Sequence, residues 1–262
     1  MMYNIIFILP FIAIMALFSF FTGSNIQKFI IEYDLFPKEK ERDLHKNKVP
    51  SSIGIGFLLV FVVGTIFYNK SFVNVIDYVA LIESLTIIVA LGCLDDLNAL
   101  SSKKKLLFQV IAIGLLLYFN EHLVVDNLNL FLGITEISTI PAIIFTVFIG
   151  IVMINGLNLI DGVDGFAAII SIICALWFAL IFWGIGSSIP YLMSILIAAI
   201  LLGYLPINIS NKKKGFMGDS GSMFLGYLFF VFTLIYLQSD LTYLFNVVKN
   251  KSVLPIAPLS IY

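Results

Sequence analysis

Five aspartates are concentrated in three short polar segments that interrupt long apolar runs of the chain. They are Asp95, Asp96, Asp161, Asp164 and Asp219. A carboxylate at the centre of a bilayer costs about 2.5–3.5 kcal/mol on insertion scales. Five of them at the ends of apolar runs therefore indicate a site that requires negative charge, and a bound cation is the simplest reason for it.

The first segment ends a predicted helix with the adjacent pair Asp95 and Asp96. The C-terminal end of a helix already carries partial negative charge and prefers cations. Two carboxylates there need compensation, either from a metal ion or from the lysines at 103–105. The alternative is a solvated loop that happens to begin with two aspartates.

In the second segment, the spacing of Asp161 and Asp164 predicts that they share one helix face, which Asn155 and Asn158 extend backward. Neighbouring glycines would allow close approach to a ligand. A capped, glycine-rich turn is the alternative, but such a turn does not need two aspartates and two asparagines in register.

The third segment places Asp219 at the start of another predicted helix, where an ordinary N-cap is the competing interpretation. Carboxylate oxygens favour hard cations such as Mg²⁺, with Mn²⁺ as an alternative. Mg²⁺ typically binds one or two carboxylates and completes its coordination with water and substrate phosphates. A membrane-face Mg²⁺ site with lysines nearby suggests phosphoryl transfer between a nucleotide and a lipid.

The composition shows what must position these segments. The 262-residue chain is 60% hydrophobic and 12% charged, whereas soluble domains have about 25% charged residues. We therefore predict one integral membrane domain over residues 1–262. Cys93 and Cys174 lie in separate apolar runs and are interpreted as packing residues.

The apolar runs predict an all-α, polytopic transmembrane helix bundle, since an isolated segment in lipid must pair its own backbone groups. Eight runs are long enough to span the bilayer, and a ninth begins near 253 and is cut off at Tyr262. The eight are 3–22, 53–69, 77–94, 105–119, 139–156, 166–184, 189–207 and 221–238.

The distribution of lysine and arginine predicts the orientation of this bundle. Three of the fifteen basic residues, Lys70, Lys249 and Lys251, fall on one side. The positive-inside rule makes the other side cytoplasmic and the N-terminus external. All three aspartate segments then face the cytoplasm from the inner (plasma) membrane. The twelve residues on that side are Lys28, Lys38, Lys40, Arg42, Lys46, Lys48, Lys103, Lys104, Lys105, Lys212, Lys213 and Lys214.

Together these motifs resemble the polyprenyl-phosphate N-acetylhexosamine-1-phosphate transferases, over about residues 34–235. This family includes the undecaprenyl-phosphate N-acetylglucosamine-1-phosphate transferases and phospho-MurNAc-pentapeptide translocase. Order, spacing and membrane side all agree. The matching residues are Arg42, His45, Pro50 and Gly54; Leu94-Asp95-Asp96 with Lys105, Leu106 and Gln109; Asn155, Asn158, Asp161-Gly162 and Asp164-Gly165; and Phe216-Met-Gly-Asp219-Ser-Gly-Ser222.

The resemblance implies a role for each position. Asp219 corresponds to the Mg²⁺ ligand. The catalytic positions are Asp95 and Asp96, near the lipid phosphate, and Lys105, which meets phosphate charge. The substrate-binding positions are Asn158, Asp161 and Asp164 in the nucleotide pocket, Phe216 against uracil, and Arg42 and His45 in the first cytoplasmic motif.

The implied reaction is attack of a polyprenyl phosphate on a UDP-N-acetyl sugar, with release of UMP. Direct displacement and a covalent aspartyl-phosphate on Asp95 both stay open. The lipid bilayer is the other partner, no nucleic acid is expected, and a homodimer stays open.

Two departures from the family pattern affect this expectation. Pro50-Ser51-Ser52-Ile53-Gly54 stands where the family often has a Gly-Gly pair, and the chain lacks the family's C-terminal His-rich loop. An inactive, truncated remnant is therefore one alternative, and a membrane transporter is another. A CDP-alcohol phosphotransferase is disfavoured, because no arginine follows Asp161-Gly162.

Overall fold

The computed structural model describes residues 5–36, 49–68, 75–127 and 136–239. The expected ninth span, together with Arg42 and His45 of the first cytoplasmic motif, lies outside these ranges. The described residues contain eight α-helices and one short 3-10 helix, Glu121–Leu123. The helices are α1 (Ile5–Glu32), α2 (Ile55–Tyr68), α3 (Val75–Leu97), α4 (Ser102–Phe119), α5 (Thr139–Ile160), α6 (Phe166–Ile185), α7 (Ser188–Asn208) and α8 (Gly218–Leu237).

Each of the eight predicted complete spans corresponds to one of these helices, so the predicted all-α bundle is confirmed. Six helices, α1, α3 and α5 to α8, are long and apolar enough to cross a bilayer. The apolar helix α2 is shorter, and α4 begins with a serine and three lysines. The chain is a multi-pass membrane protein.

Helix α8 forms the centre of the bundle. It packs against α3 and α5, with further contacts to α2 and α6. Every residue from Ser220 to Phe232 is buried, as expected for a helix that is apolar around its whole circumference. The helix therefore holds Asp219, in its first turn, in a fixed place between the neighbouring helices.

Helix α1 continues about ten residues past the end predicted from its apolar run. Its lower part carries the buried side chain of Gln27, whose amide nitrogen donates to the carbonyl oxygens of Lys213 (3.0 Å) and Lys214 (2.8 Å). The extension therefore supports the loop between α7 and α8. The predicted span ended earlier because Gly23-Ser24-Asn25 interrupts the apolar run, although Ile30 beyond it is buried.

Candidate active site

The three aspartate segments meet at one end of the bundle, where α3, α5 and α7 end and α4, α6 and α8 begin. Asp95 and Asp96 lie in the last turn of α3, and Asp219 lies in the first turn of α8. Asp161 is the residue immediately after α5. The short connections between successive helices bring these ends together.

Asp96 caps α8 from a different helix. Its Oδ1 accepts the backbone N–H of Asp219 at 2.8 Å, and its Oδ2 accepts the N–H of Ser220 at 3.3 Å. The first amides of a helix have no partner within the helix, and no side chain at the α8 N-cap supplies one. The N-cap alternative for Asp219 is therefore wrong, because Asp96 caps the helix. The Asp219 carboxylate accepts hydrogen bonds from Lys105 and Asn158 instead.

The segment at 50–54 also packs against the start of α8. Phe216 donates its N–H to Pro50 (2.8 Å), while Ile53 and Gly54 donate to the carbonyl oxygens of Phe216 (3.3 Å) and Met217 (3.0 Å). These bonds fix the backbone that presents Phe216 and Asp219. The Pro-Ser-Ser sequence thus belongs to the site, although its departure from the family pattern left its shape open.

Two glycines allow the backbones to approach this closely. A Cβ built on Gly54 would overlap the backbone of Gly221, and one built on Gly92 would overlap that of Ser220. The start of α8 is therefore clamped between α3 and the segment at 50–54. Any side chain at either glycine would push Asp219 away from its partners.

Lys105 connects the first and third aspartate segments. Its Nζ forms an ion pair with Asp95 and a second one with Asp219 Oδ2 at 3.2 Å. Asp95 is buried and also accepts the N–H of Leu100 at 2.6 Å. The ammonium group thus offsets part of the charge that two carboxylates bring into a partly desolvated site.

Asn158 connects the second segment to the third. Its Nδ2 donates to Asp219 Oδ1 (2.8 Å) and to Ser222 Oγ (2.9 Å). One turn earlier, the Asn155 side chain exchanges two hydrogen bonds with the buried amide of Gln109 on α4. The amides on this face of α5 therefore orient the carboxylate of Asp219 and join α5 to α4.

Asp161 lies close to the negative charges of Asp219 and Asp96. Burial, followed by the charges of Asp219 and Asp96, raises the pKa of its carboxyl group to about 7. Among the described residues, Lys105 is the cation of the cluster, and it forms its ion pairs with Asp95 and Asp219. This part of the site therefore has an excess of negative charge.

Replacement of Asp161 by asparagine is expected to raise thermal stability when divalent cations are chelated. Its pKa is raised above the ordinary value of 3.8, so between about pH 4 and 7 the unfolded chain releases a proton that the folded chain keeps. The free energy of unfolding of the wild type therefore falls as pH rises through this window. The melting temperature of Asp161→Asn should exceed that of the wild type at pH 8, with the gap closing towards pH 4. The exposed Asp126, beyond the far end of α4, offers the control Asp126→Asn, and a gap independent of pH would contradict this account.

The predicted helix face shared by Asp161 and Asp164 is wrong. Helix α5 ends at Ile160, and the chain turns through Gly162 and Gly165 before α6 begins. Asp164 is exposed on this turn and forms an ion pair with Lys214, whose Nζ also lies 5.4 Å from the centroid of the Phe216 ring. The two aspartates thus face different surroundings, one half-buried in the cluster and one at its rim.

Asn208 belongs to the site although it was not singled out from the sequence. The buried Asn208 side chain accepts the N–H of Gly165 and donates to the carbonyl oxygen of Gly215 at 3.3 Å. It therefore ties the turn after α5 to the loop before Phe216. A lone asparagine at the end of an apolar helix gives no sequence signal of this kind.

The donor set fits a hard divalent cation that shares its coordination with a substrate. Asp219 has about 30% of its side chain exposed, and its two carboxylate oxygens accept from Asn158 and Lys105. Within the described ranges, no three acidic, histidine or cysteine side chains form a metal-binding group by themselves. A single partly exposed carboxylate such as Asp219 would suit Mg²⁺, which binds few carboxylates and completes its shell with water and phosphate oxygens.

Comparison with known proteins places the chain in a family. The profile of glycosyl transferase family 4 matches residues 78–237. A phospho-N-acetylmuramoyl-pentapeptide-transferase of Staphylococcus aureus (strain bovine RF122 / ET3-1) is 32% identical over 216 residues, covering 77% of this chain and 66% of the relative. A decaprenyl-phosphate N-acetylglucosaminephosphotransferase of Mycobacterium tuberculosis (strain CDC 1551 / Oshkosh) is 26% identical over 231 residues, covering 80% and 56%. The chain thus spans between about half and two thirds of the length of these relatives, and it belongs to glycosyl transferase family 4.

Proposed function

We propose that this protein transfers a sugar-1-phosphate, N-acetylhexosamine-1-phosphate by analogy with the names of its relatives, from a UDP-sugar to a polyprenyl phosphate. UMP is released, and the lipid-linked product starts the synthesis of a cell-envelope glycan. The site faces the cytoplasm from the inner membrane. The observation that supports this proposal best is the meeting of Asp219, Lys105 and Asn158 at one end of a membrane helix bundle.

Each group has a part in binding two phosphorylated substrates. Asp219, oriented by Asn158, would hold Mg²⁺, which supplies Lewis-acid stabilisation of the charge that develops on the diphosphate. Lys105 would offset phosphate charge next to it. The turn that carries Asp161, together with Phe216, would form the nucleotide pocket, with Phe216 against uracil and Lys214 beside the ring.

Direct displacement is the mechanism that the geometry favours. An oxygen of the lipid phosphate attacks the sugar-bearing phosphorus, and the bond from that phosphorus to the oxygen of the UMP phosphate breaks. A phosphate monoester is largely dianionic near neutral pH, so it needs no strong general base. Asp95 is buried and held by Lys105 and Leu100, which makes it a poor nucleophile for a covalent aspartyl-phosphate.

Two other functions make different demands on the site. A transporter needs ionisable groups along a path through the membrane, whereas the five site aspartates lie at helix ends or in a connecting turn at one end of the bundle. An inactive remnant would keep the fold without turnover. Both alternatives predict no release of UMP.

The direct test is release of UMP from a panel of UDP-N-acetyl sugars by the purified protein with undecaprenyl phosphate in detergent. We expect release from one of the sugars, dependent on both the lipid and Mg²⁺, and lost on chelation. Mn²⁺ should restore activity after chelation, because it accepts the same oxygen ligands. Release that continues at full rate in chelator, or without the lipid, would contradict the proposal.

A further inference from the structure

Ser52 combines two features that call for an explanation. It is buried, at 7% exposure, and its φ of 68° places it in the left-handed region that side chains with a Cβ rarely adopt. Strained backbone conformations of this kind persist where the surroundings impose them, and they cluster at functional sites. A glycine would adopt this turn without strain, so a serine here suggests that the hydroxyl group is needed.

The hydroxyl group of Ser52 bonds to the carboxylate that organises α8. Its Oγ donates to Asp96 Oδ2 at 2.7 Å. The same oxygen accepts the N–H of Ser220, while the other carboxylate oxygen accepts the N–H of Asp219. The Ser52 hydrogen bond therefore fixes the rotation of the Asp96 carboxylate about its own axis, and with it the orientation of the α8 start.

We propose that Ser52 is a positioning residue, which holds Asp96 in the rotamer that presents Asp219 to the phosphates of the substrate. This inference rests on the proposed function for its effect on turnover. Its structural part, the coupling of Ser52 to the first amides of α8 through Asp96, stands on the hydrogen bonds alone. Ser52 itself touches no reacting atom in this account.

Two substitutions separate the hydroxyl group from the shape of the turn. Ser52→Ala keeps the Cβ and removes the hydrogen bond, whereas Ser52→Gly removes the hydrogen bond and also relieves the backbone strain. If the hydroxyl group positions Asp96, both variants should lose about tenfold in kcat, as expected for one hydrogen bond to a charged group. Ser52→Gly should nevertheless melt no lower than Ser52→Ala.

Ser194→Ala is the matched control. It removes another buried serine hydroxyl, one that bonds within α7 to the carbonyl oxygen of Pro190, and it should keep the kcat of the wild type. Hydrogen exchange of the peptide that contains Asp219 and Ser220 provides a readout that does not depend on turnover. Exchange there should be about tenfold faster in both Ser52 variants, because the amides lose a firmly held acceptor, and unchanged in the control.

A double variant tests the route through Asp96. In the background of Asp96→Asn, adding Ser52→Ala should accelerate exchange little further, because residues that act through one network are not additive. Wild-type exchange in Ser52→Gly, or fully additive effects in the double variant, would overturn the proposal. If the wild type releases no UMP, the proposed function fails, while the exchange comparison still decides the role of Ser52.

Discussion

Replacement of Asp219 by asparagine is expected to abolish the Mg²⁺-dependent release of UMP. The carboxylate is partly exposed, and it is oriented from both sides by Lys105 and Asn158. A metal ion supplies several kcal/mol of charge stabilisation in the transition state, and each ~1.4 kcal/mol corresponds to a tenfold change in rate. Loss of the ligand should therefore lower kcat/KM by about a thousandfold or more.

The asparagine is nearly isosteric, so the effect should appear in chemistry rather than in folding. Its carbonyl oxygen can still accept the hydrogen bond from Asn158, and the α8 amides keep their bonds to Asp96. The melting temperature in chelator should therefore change little. The stabilisation that Mg²⁺ gives the wild type together with UDP-sugar should be lost in the variant.

The control for this substitution is Asp126→Asn, which makes the same change at an exposed aspartate beyond the far end of α4. It should keep both activity and the response to Mg²⁺. If Asp219→Asn retains a tenth or more of the wild-type turnover, Asp219 is not the metal ligand. The hydrogen bonds of the cluster would then have a structural role only.

The helices and their common end could be predicted from the sequence. Apolar runs indicate the membrane-spanning segments, and the basic loops indicate which connections lie on the same side of the bilayer. The pairing of residues inside the site could not. Asp95 and Asp96 are adjacent in sequence, yet one binds Lys105 and the other caps α8. Successive side chains on a helix point in directions about 100° apart, and only the packing of neighbours decides what each one meets.

The end of α5 shows the same limit. A spacing of three residues predicts a common face only if the helix continues, and here it stops at Ile160 between the asparagines and the aspartates. Asn158 therefore reaches Asp219, while Asp164 lies at the surface with Lys214. The glycines that follow indicate the end of a helix as readily as they indicate room for a ligand.

Replacement of Lys105 by glutamine is the second change from which we expect a large effect. The substitution leaves the buried Asp95 without its cation. The negative charges of Asp95 and Asp219 then lie close together with no positive charge between them. Removing one partner of a fully buried ion pair costs about 3–5 kcal/mol. Because Lys105 is about one quarter exposed, we expect about 2 kcal/mol, or a fall in melting temperature of about 5 °C. Turnover should fall by about a hundredfold, since phosphate charge also loses its partner.

A second substitution separates the two effects in this variant. Adding Asp95→Asn to Lys105→Gln removes the uncompensated buried charge, so it should recover most of the lost melting temperature without recovering turnover. Lys104→Gln, at the exposed neighbouring lysine of the same turn, is the matched control and should leave both quantities near the wild type. If the double variant is less stable than Lys105→Gln, the contacts of Asp95 with the Leu100 backbone matter more than charge balance. If it recovers turnover as well, the ammonium group acts only by neutralising Asp95 and does not meet substrate phosphate.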